Sequence, residues 1–315
     1  MTGRANLVGA LAFLALAAAA PGLPPWLVAL ATIALANALV VLGLIVLWRA
    51  GLVSFGQALY YAIGAYCVAL LARFAGITDA FLMLLAGGVA AGVTAFLVGT
   101  LLACYREIFF AMLSLALSMI LYGALVKTES LGSTDGFNVP PATFLGYAPH
   151  GRVLGLWLFW LVLGTCAIAA MAMSAYFRSV AGALAVPVRD NEIRLEFLGL
   201  SVNRLIHLKL TIAGALGGFG GALAALAIGH VDPNMAYWTT SGGFVFVTIL
   251  AGADSVAAAF IGSLGLELVR SFAVEVLPST WQILLGSVLL ITILFLPDGL
   301  GSIFLRLRRP EIRAP

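Results

Sequence analysis

Long apolar stretches, separated by short polar ones, make up most of this 315-residue chain. A helix needs about 20 mostly apolar residues to cross a lipid bilayer. Ten stretches can be interpreted as passes, although the first and the eighth are short. The pattern therefore predicts an all-α polytopic membrane protein of about ten transmembrane helices. The ten stretches are residues 7–22, 26–47, 52–74, 80–103, 108–126, 152–175, 208–228, 241–252, 256–276 and 281–296.

The composition supports this interpretation and excludes other classes of protein. Hydrophobic residues form 63% of the chain and charged residues only 9%, whereas a soluble domain carries about 25% charged residues. Because so few charges cannot cover a surface facing water, lipid must be part of the solvent. No basic patch is interleaved with aromatic residues, so nucleic acid is not an expected partner. Cys67, Cys104 and Cys166 lie in or beside apolar segments and are interpreted as packing residues.

The distribution of basic residues predicts the orientation in the membrane. Lysine and arginine are enriched in cytoplasmic loops, and a cytoplasmic N-terminus would place 12 of the 16 basic residues inside. The four left outside are Arg73, Lys127, Arg152 and Arg270. This bias favours an even number of passes, with the N- and C-termini both cytoplasmic.

We expect residues 1–315 to form a single transmembrane domain. Its predicted parts are a variable N-terminal span (1–25), an outer loop (127–151), a cytoplasmic segment (178–207) and a cytoplasmic tail (305–315). The first span could instead be a signal peptide, because Arg4 precedes its apolar core and four alanines precede Pro21. A retained helix agrees better with the distribution of basic residues.

Glycines and polar residues interrupt two of the predicted helices, in residues 51–66 and 241–256. In the predicted topology these segments run in opposite directions, as an inverted repeat requires. Unwound backbone at membrane depth is tolerated only against protein or a water-filled cavity, and paired interruptions in the two halves of a transporter indicate a central pathway. The candidate substrate-pathway residues are Asn37, Ser54, Gly56, Gln57, Gly242 and Gly243.

Packing offers an alternative explanation for the same residues. The glycines could form faces where helices approach closely, and Asn37 and Gln57 could hydrogen-bond between helices. The five glycines within residues 211–226, which lie among alanines, are expected to be such a packing face rather than a pathway.

One strongly polar stretch, RDNEIRLEFLGLSVNR (189–204), carries six charges in a chain that has few. It predicts a short helix with Asp190 as N-cap, because a carboxylate can accept a first-turn amide. Gly199 is the expected C′ residue, where a left-handed conformation costs little. Asp190 and Arg194 are four residues apart and could pair across one turn. The alternative is a loop whose charges only enforce the topology.

The predicted outer loop contains a run dense in turn-forming residues, GSTDGF (132–137). One interpretation is a reverse turn in which Asp135 hydrogen-bonds the local backbone. The other is a docking surface for another protein, because a loop of this length without clear secondary structure is more often functional or disordered than idle.

No catalytic or metal-binding set is evident in the sequence. The two lysines, Lys127 and Lys209, lack the preceding glycine of a phosphate-binding loop. His150, His207 and His230 are isolated, whereas a metal site requires converging ligands. We therefore predict no enzyme activity, no metal and no cofactor in this chain.

Several stretches resemble LivM-type permeases of branched-chain amino acid ABC importers. These stretches occur in the order found in that family, and they cover about residues 30–305. They are GLVSFGQALYYAIGAYCVALL (51–71), IFFAMLSLALSMIL (108–121), LGSTDGF (131–137), RDNEIRLEFLGLSVNRLIHLKL (189–210) and LFLPDGLGSIF (294–304). One departure is AGADS (251–255), where Ala253 and Asp254 replace part of a glycine-rich run.

The resemblance implies a complex in the bacterial cytoplasmic (inner) membrane. Residues 1–315 would be its permease domain, with 127–151 as a periplasmic loop, and would form half of a pore with a second, LivH-like permease. Two ABC ATPase subunits, which hold the ATP and magnesium, would drive transport, and a periplasmic substrate-binding protein would deliver leucine, isoleucine or valine. Related permeases carry urea, short amides or aromatic carboxylates.

The resemblance also gives the two polar regions their expected partners. Residues that would couple to the ATPase are Arg189, Asp190, Glu192, Arg194, Glu196, Phe197 and Gly199. Residues that would contact the binding protein are Gly132, Ser133, Thr134, Asp135 and Gly136.

Two other classes of function are alternatives to the importer. A stand-alone channel or secondary transporter would be expected to carry an ionisable group inside the membrane, and Glu267 in the ninth predicted pass is a candidate for that role. An intramembrane enzyme is disfavoured, because no catalytic set is evident.

Overall fold

A computed structural model of the chain describes residues 13–252, 255–276 and 280–295. Almost all of this part is helical, as the apolar pattern predicts. The helices are α1 (Phe13–Gly22), α2 (Pro25–Trp48), α3 (Gln57–Ala75), α4 (Ala80–Leu102), α5 (Glu107–Lys127), α6 (Arg152–Arg178), α7 (Val180–Ala183), α8 (Ala185–Asp190), α9 (Glu192–Phe197), α10 (Val202–Ile228), α11 (Trp238–Ala251), α12 (Val256–Val276) and α13 (Trp281–Phe295). Two short strands, β1 (Phe137–Asn138) and β2 (His230–Val231), pair in antiparallel fashion.

Seven of the described helices are long and apolar enough to cross a membrane: α2, α3, α4, α5, α6, α10 and α12. The all-helical, multi-pass class is therefore confirmed. The count of ten crossings, the inverted repeat and the cytoplasmic termini remain predictions. Below, the end of the bundle that holds residues 128–151 is called the loop end. Residues 179–201, at the other end, are called the polar segment.

Helix α10 lies at the centre and packs against α2, α3 and α4. Five of its glycines, here called the glycine seam, allow this close packing. A Cβ added at Gly221 would meet the Tyr61 carbonyl oxygen, and one added at Gly218 would meet the Ala91 side chain. The predicted packing face is thus confirmed. The seam consists of Gly214, Gly217, Gly218, Gly220 and Gly221.

Helix α3 begins later than predicted, because residues 51–56 are not helical. The left-handed φ of +78° at Gly51 turns the chain away from α2. Buried hydroxyl groups then satisfy the backbone of this irregular stretch. Ser114 of α5 accepts a hydrogen bond from the Phe55 amide at 3.2 Å, and Ser241 of α11 accepts one from the Ala58 amide at 2.9 Å.

The chain after α10 explains why the eighth predicted pass is short. Beyond β2, a 3-10 turn (Pro233–Ala236) returns between α3 and α5. The Ser118 hydroxyl, about halfway along α5, donates a 2.8 Å hydrogen bond to the Ala236 carbonyl. Helix α11 starts two residues later, and its 14 residues span about 21 Å. This is less than the ~30 Å hydrocarbon core.

The interruption predicted at Gly242 and Gly243 is wrong, because α11 continues through both residues. The interruption predicted at Gly252 is confirmed, because the helix ends there and φ is +80°. Glycine lowers the stability of a helix but does not by itself end it. No neighbouring atom lies within 4 Å of a Cβ added at Gly242 or Gly243, so close packing does not require glycine at these positions. Predictions that concern residues 1–12, 253–254, 277–279 and 296–315 lie outside the described residues.

Candidate functional site

The predicted pathway residues Ser54, Gly56 and Gln57 come together at the start of α3. Ser54 and Gln57 are buried, and the Ser54 hydroxyl accepts a hydrogen bond from the Gly56 amide at 3.2 Å. Gly56 lies so close to α5 that an added Cβ would be 2.8 Å from the Ser114 carbonyl oxygen. Ser241 joins this group from α11, which places Gly242 and Gly243 on the same helical turn.

Two side chains in the predicted pathway carry buried polar atoms that lack a hydrogen-bond partner among the described residues. They are both amide atoms of Gln57 and the Oδ1 atom of Asn37 in α2. The Gln57 Oε1 atom faces the glycine seam, 3.1 Å from the position of a Cβ at Gly217. The interhelical hydrogen bond expected of a buried glutamine is therefore not formed in this conformation. An unsatisfied buried group costs about 1–3 kcal/mol, so this arrangement requires a reason.

Two cavities in the described part of the chain lie away from these residues. One, of about 640 Å³, lies between α3, α4 and α5 and is lined mainly by apolar side chains. The other, of about 360 Å³, lies between α2 and α6 near Arg152. Neither is lined by a predicted pathway residue. The assignment of the pathway therefore stays a prediction.

The polar segment folds into three short helices, α7, α8 and α9. The prediction of a short helix here is confirmed, but its N-cap is Asn191 and not Asp190. The Asn191 Oδ1 atom accepts a hydrogen bond from the Arg194 amide at 3.0 Å. Asp190 ends the preceding helix and lies 3.5 Å from the Arg189 side chain. The predicted Asp190–Arg194 pair is wrong, because the extended backbone at Asn191, where φ is −165°, separates the helix of Asp190 from that of Arg194.

The end of α9 matches its prediction. Gly199 has a left-handed φ of +82°. Its amide donates to the Glu196 carbonyl at 2.9 Å, and the Leu200 amide donates to the Leu195 carbonyl at 3.1 Å. This pair of hydrogen bonds is a Schellman motif, which satisfies the last carbonyls of a helix.

Helix α9 has one attached side and one free apolar side. Leu195 is buried, and Glu192 pairs with Arg106 at 2.7 Å. On the free side, Phe197 is 88% exposed, Leu198 72% and Ile193 66%. The polar segment also carries four exposed charged residues: Arg189, Asp190, Arg194 and Glu196.

The predicted turn in the outer loop is present, and glycines form it. Gly132 and Gly136 have φ values of +89° and +64°, and the Gly136 amide donates to the Gly132 carbonyl at 3.0 Å. The Ser133 hydroxyl ties the turn to the end of α5 through the Val126 carbonyl at 2.8 Å. In the described structure the Asp135 carboxylate accepts from the Thr134 hydroxyl at 3.2 Å and makes no backbone hydrogen bond. Asp135 and Thr134 are exposed.

The β1–β2 pair connects this loop to the end of α10. Phe137 pairs with Val231 and Asn138 with His230. A Cβ added at Gly136 would meet the Val231 carbonyl oxygen, so the turn lies directly on β2. No residue pattern in the sequence indicated this pairing.

Glu267 of α12, the candidate for an ionisable group inside the membrane, has a partner. Its carboxylate lies 3.9 Å from the Arg270 side chain one turn later. An ion pair of this kind provides a structural explanation for a charge at membrane depth. Among the described residues, no group of three or more His, Cys, Asp and Glu side chains could hold a metal ion.

Comparison with known proteins identifies the family. The family described as "branched-chain amino acid transport system / permease component" matches residues 26–294. The LivM high-affinity branched-chain amino acid permease protein of Salmonella typhimurium is 28% identical over 87% of this chain and 69% of its own length. The LivM protein of Escherichia coli is 27% identical over 90% of this chain and 71% of its own length. No solved structure matches the chain. The chain belongs to this family of permease components, whose members are non-catalytic membrane subunits.

Proposed function

We propose that this chain forms half of the translocation pathway of an ABC importer for branched-chain amino acids in the bacterial cytoplasmic membrane. Its partners are a second, LivH-like permease, two ATPase subunits that hold ATP and magnesium, and a periplasmic substrate-binding protein. The main support is that the family match extends over residues 26–294. This range includes both polar regions that would contact those partners.

The free side of α9 is the proposed contact with the ATPase subunit. A helix on open water hides its apolar side, yet α9 exposes Ile193, Phe197 and Leu198. Such a surface matches an apolar groove on a partner, with Phe197 as the anchor, because buried aromatic side chains dominate protein contacts. The exposed charges of the polar segment form the polar rim of that contact.

The glycine turn at the loop end is the proposed contact with the substrate-binding protein. Its exposed residues Thr134 and Asp135 lie on a support fixed by Gly132, Ser133 and Gly136. A rigid and exposed turn loses little entropy when it is bound.

The start of α3 is the proposed place where substrate passes. Gln57 has two unpartnered amide atoms, and a pathway needs polar groups that bind substrate weakly and transiently. Gln57→Leu is expected to lower uptake and substrate-stimulated ATP hydrolysis together. Normal values of both in the assembled transporter would remove Gln57 from the pathway.

Reconstitution tests the whole proposal. The chain is co-expressed with a second permease, two ATPase subunits and a substrate-binding protein from the same organism, and the complex is placed in proteoliposomes. We expect uptake of radiolabelled leucine that requires both ATP and the binding protein. Uptake without ATPase subunits would instead indicate a channel or secondary transporter. Parallel assays with urea, a short amide and benzoate test the other substrates of related permeases.

A further inference from the structure

A buried cation without a carboxylate partner lies near the start of the central helix. Lys209 of α10 is fully buried, and the ion pairs found among the described residues do not include it. Its Nζ atom donates hydrogen bonds to the Tyr176 hydroxyl and to the Ala181 carbonyl, both at 3.1 Å. Lysine is almost never fully buried without a partner. The hydrogen bonds to these two acceptors therefore offset part of the cost of burying the Lys209 ammonium group.

The two acceptors lie on the elements that lead into the polar segment. Tyr176 is in the last turn of α6, and Ala181 is in α7, the first helix of the polar segment. One ammonium group therefore joins α10, α6 and α7. Gly182 makes this arrangement possible, because a Cβ there would meet the Tyr176 carbonyl oxygen and hold α7 away.

A second cation strengthens the same junction. The Arg49 guanidinium, just after α2, lies 4.5 Å from the centre of the Phe177 ring. The Lys209 Nζ atom lies 5.5 Å from the centre of the Tyr176 ring. Cation–ring contacts become stronger when the cation is desolvated. We call Arg49, Tyr176, Phe177, Ala181 and Lys209 the clamp.

Stability alone does not account for a lysine at this position. An apolar side chain of similar volume would fill the space without the cost of burying a charge, and such replacements are often neutral or stabilising. The ammonium group instead adds positional specificity, because its hydrogen bond holds the Ala181 carbonyl of the polar segment at one place on α10.

From the clamp, α10 can transmit a displacement to the rest of the bundle. The glycine seam packs the α10 backbone directly on α3 at Gly221 and on α4 at Gly218. Because close-packed interiors are hardly compressible, a displacement of α10 is passed on to the helices whose backbones it contacts. A second link reaches the start of α10, because Arg106 pairs with Glu192 and also donates to Asn203 at 2.7 Å.

We infer that Lys209 is a positioning residue that transmits movement of the polar segment to the central helix, and so couples ATP hydrolysis to the opening of the pathway. This inference rests on the proposed function. In this inference α10 is the helix that moves, and the clamp links it to the polar segment.

The test replaces Lys209 with methionine, which keeps an unbranched side chain only one atom shorter and removes both hydrogen bonds and the charge. Lys127→Met is the matched control, because Lys127 is the chain's other lysine and is exposed at the loop end. The measurement is the number of leucine molecules taken up per ATP hydrolysed in proteoliposomes of the full complex. For Lys209→Met we expect ATPase binding and basal hydrolysis within twofold of the unmodified complex, with uptake per ATP at least tenfold lower. The control should behave like the unmodified complex.

Two milder variants keep the test decisive if Lys209→Met does not fold. Tyr176→Phe removes one acceptor and should give an intermediate loss of uptake per ATP. Lys209→Gln keeps a donor and should retain more uptake per ATP than Lys209→Met.

Normal uptake per ATP in these variants would overturn the inference. So would an equal loss of ATPase binding, hydrolysis and uptake, which would show that the clamp only maintains the fold. If the unmodified complex shows no ATP-driven uptake, the proposed function itself fails, and the coupling role fails with it.

Discussion

At the scale of single residues, Phe197 combines a large apolar side chain with nearly complete exposure. If it anchors α9 in an ATPase groove, Phe197→Ala should remove about 2 kcal/mol of binding free energy, or roughly a thirtyfold loss in affinity. The measurement is the dissociation constant of the purified permease and ATPase subunits. Phe74→Ala is the control, since Phe74 is 69% exposed but lies at the loop end. Equal affinities of the two variants would remove Phe197 from the contact.

Gly221 provides a second prediction at this scale, about stability. Gly221→Ala places a methyl group against the Tyr61 carbonyl oxygen, and overpacking of this kind costs about 1–3 kcal/mol or more. Gly123→Ala in α5 has no atom within 4 Å of the added Cβ and should be neutral or stabilising by up to about 1 kcal/mol. Thermal unfolding of both variants in detergent measures the difference. Similar melting temperatures would contradict the tight packing of the seam.

Single residues were predictable where their neighbours in sequence determine their conformation. Gly199 was correctly predicted as a C′ residue, because a left-handed helix end depends on a few adjacent residues. Asp190 was wrongly predicted as N-cap, because α8 ends at Asp190 and leaves Asn191 to cap α9. Ser114 and Ser241 were missed, since their partners in the α3 start are 59 and 183 residues away in sequence.

At the scale of elements, different residues of the outer turn hold its conformation and make its proposed contact with the binding protein. Asp135→Ala should leave the melting temperature unchanged, because the Asp135 carboxylate bonds only the Thr134 hydroxyl. It should raise the concentration of binding protein that gives half-maximal transport. Gly136→Ala should lower the melting temperature, since φ is +64° there and the new methyl group would meet β2. An unchanged dependence on binding protein in Asp135→Ala would leave Asp135 as a turn residue only.

The elements themselves were predicted well where apolar length determines them, as for α2, α4 and α12. Two boundaries could not be predicted, because tertiary contacts set them. Helix α3 starts at Gln57 where hydroxyl groups from α5 and α11 satisfy its backbone. Helix α11 starts inside the bundle because Ser118 holds the preceding turn at half the length of α5.

At the scale of the whole molecule, the native cysteines can test the orientation. Cys104 is exposed just after α4, at the end that holds the polar segment, whereas Cys166 is buried. A membrane-impermeant maleimide should therefore label Cys104 in inside-out vesicles and leave it unlabelled in right-side-out cells. Cys104→Ser should abolish that labelling. Labelling from the periplasmic side would reverse the predicted topology.

The overall architecture followed from the sequence only in part. Apolar length and the excess of charge on one side predict a polytopic helical bundle. They carry no information about which helix is central. The position of α10 depends on where its five glycines find partners on α2, α3 and α4, and such pairings are a property of the folded chain.

The hydrogen bond from the Ala58 amide to Ser241 has a consequence for the order of synthesis. The two residues are 183 positions apart, and ribosomes add about 5–20 residues per second. For roughly 10–40 s, α3 is therefore present in the membrane while the residue that completes its first turn has not been made. A chain that stops before residue 241 leaves the Ala58 amide at the start of α3 without its acceptor. We expect membrane proteases to degrade such truncated chains.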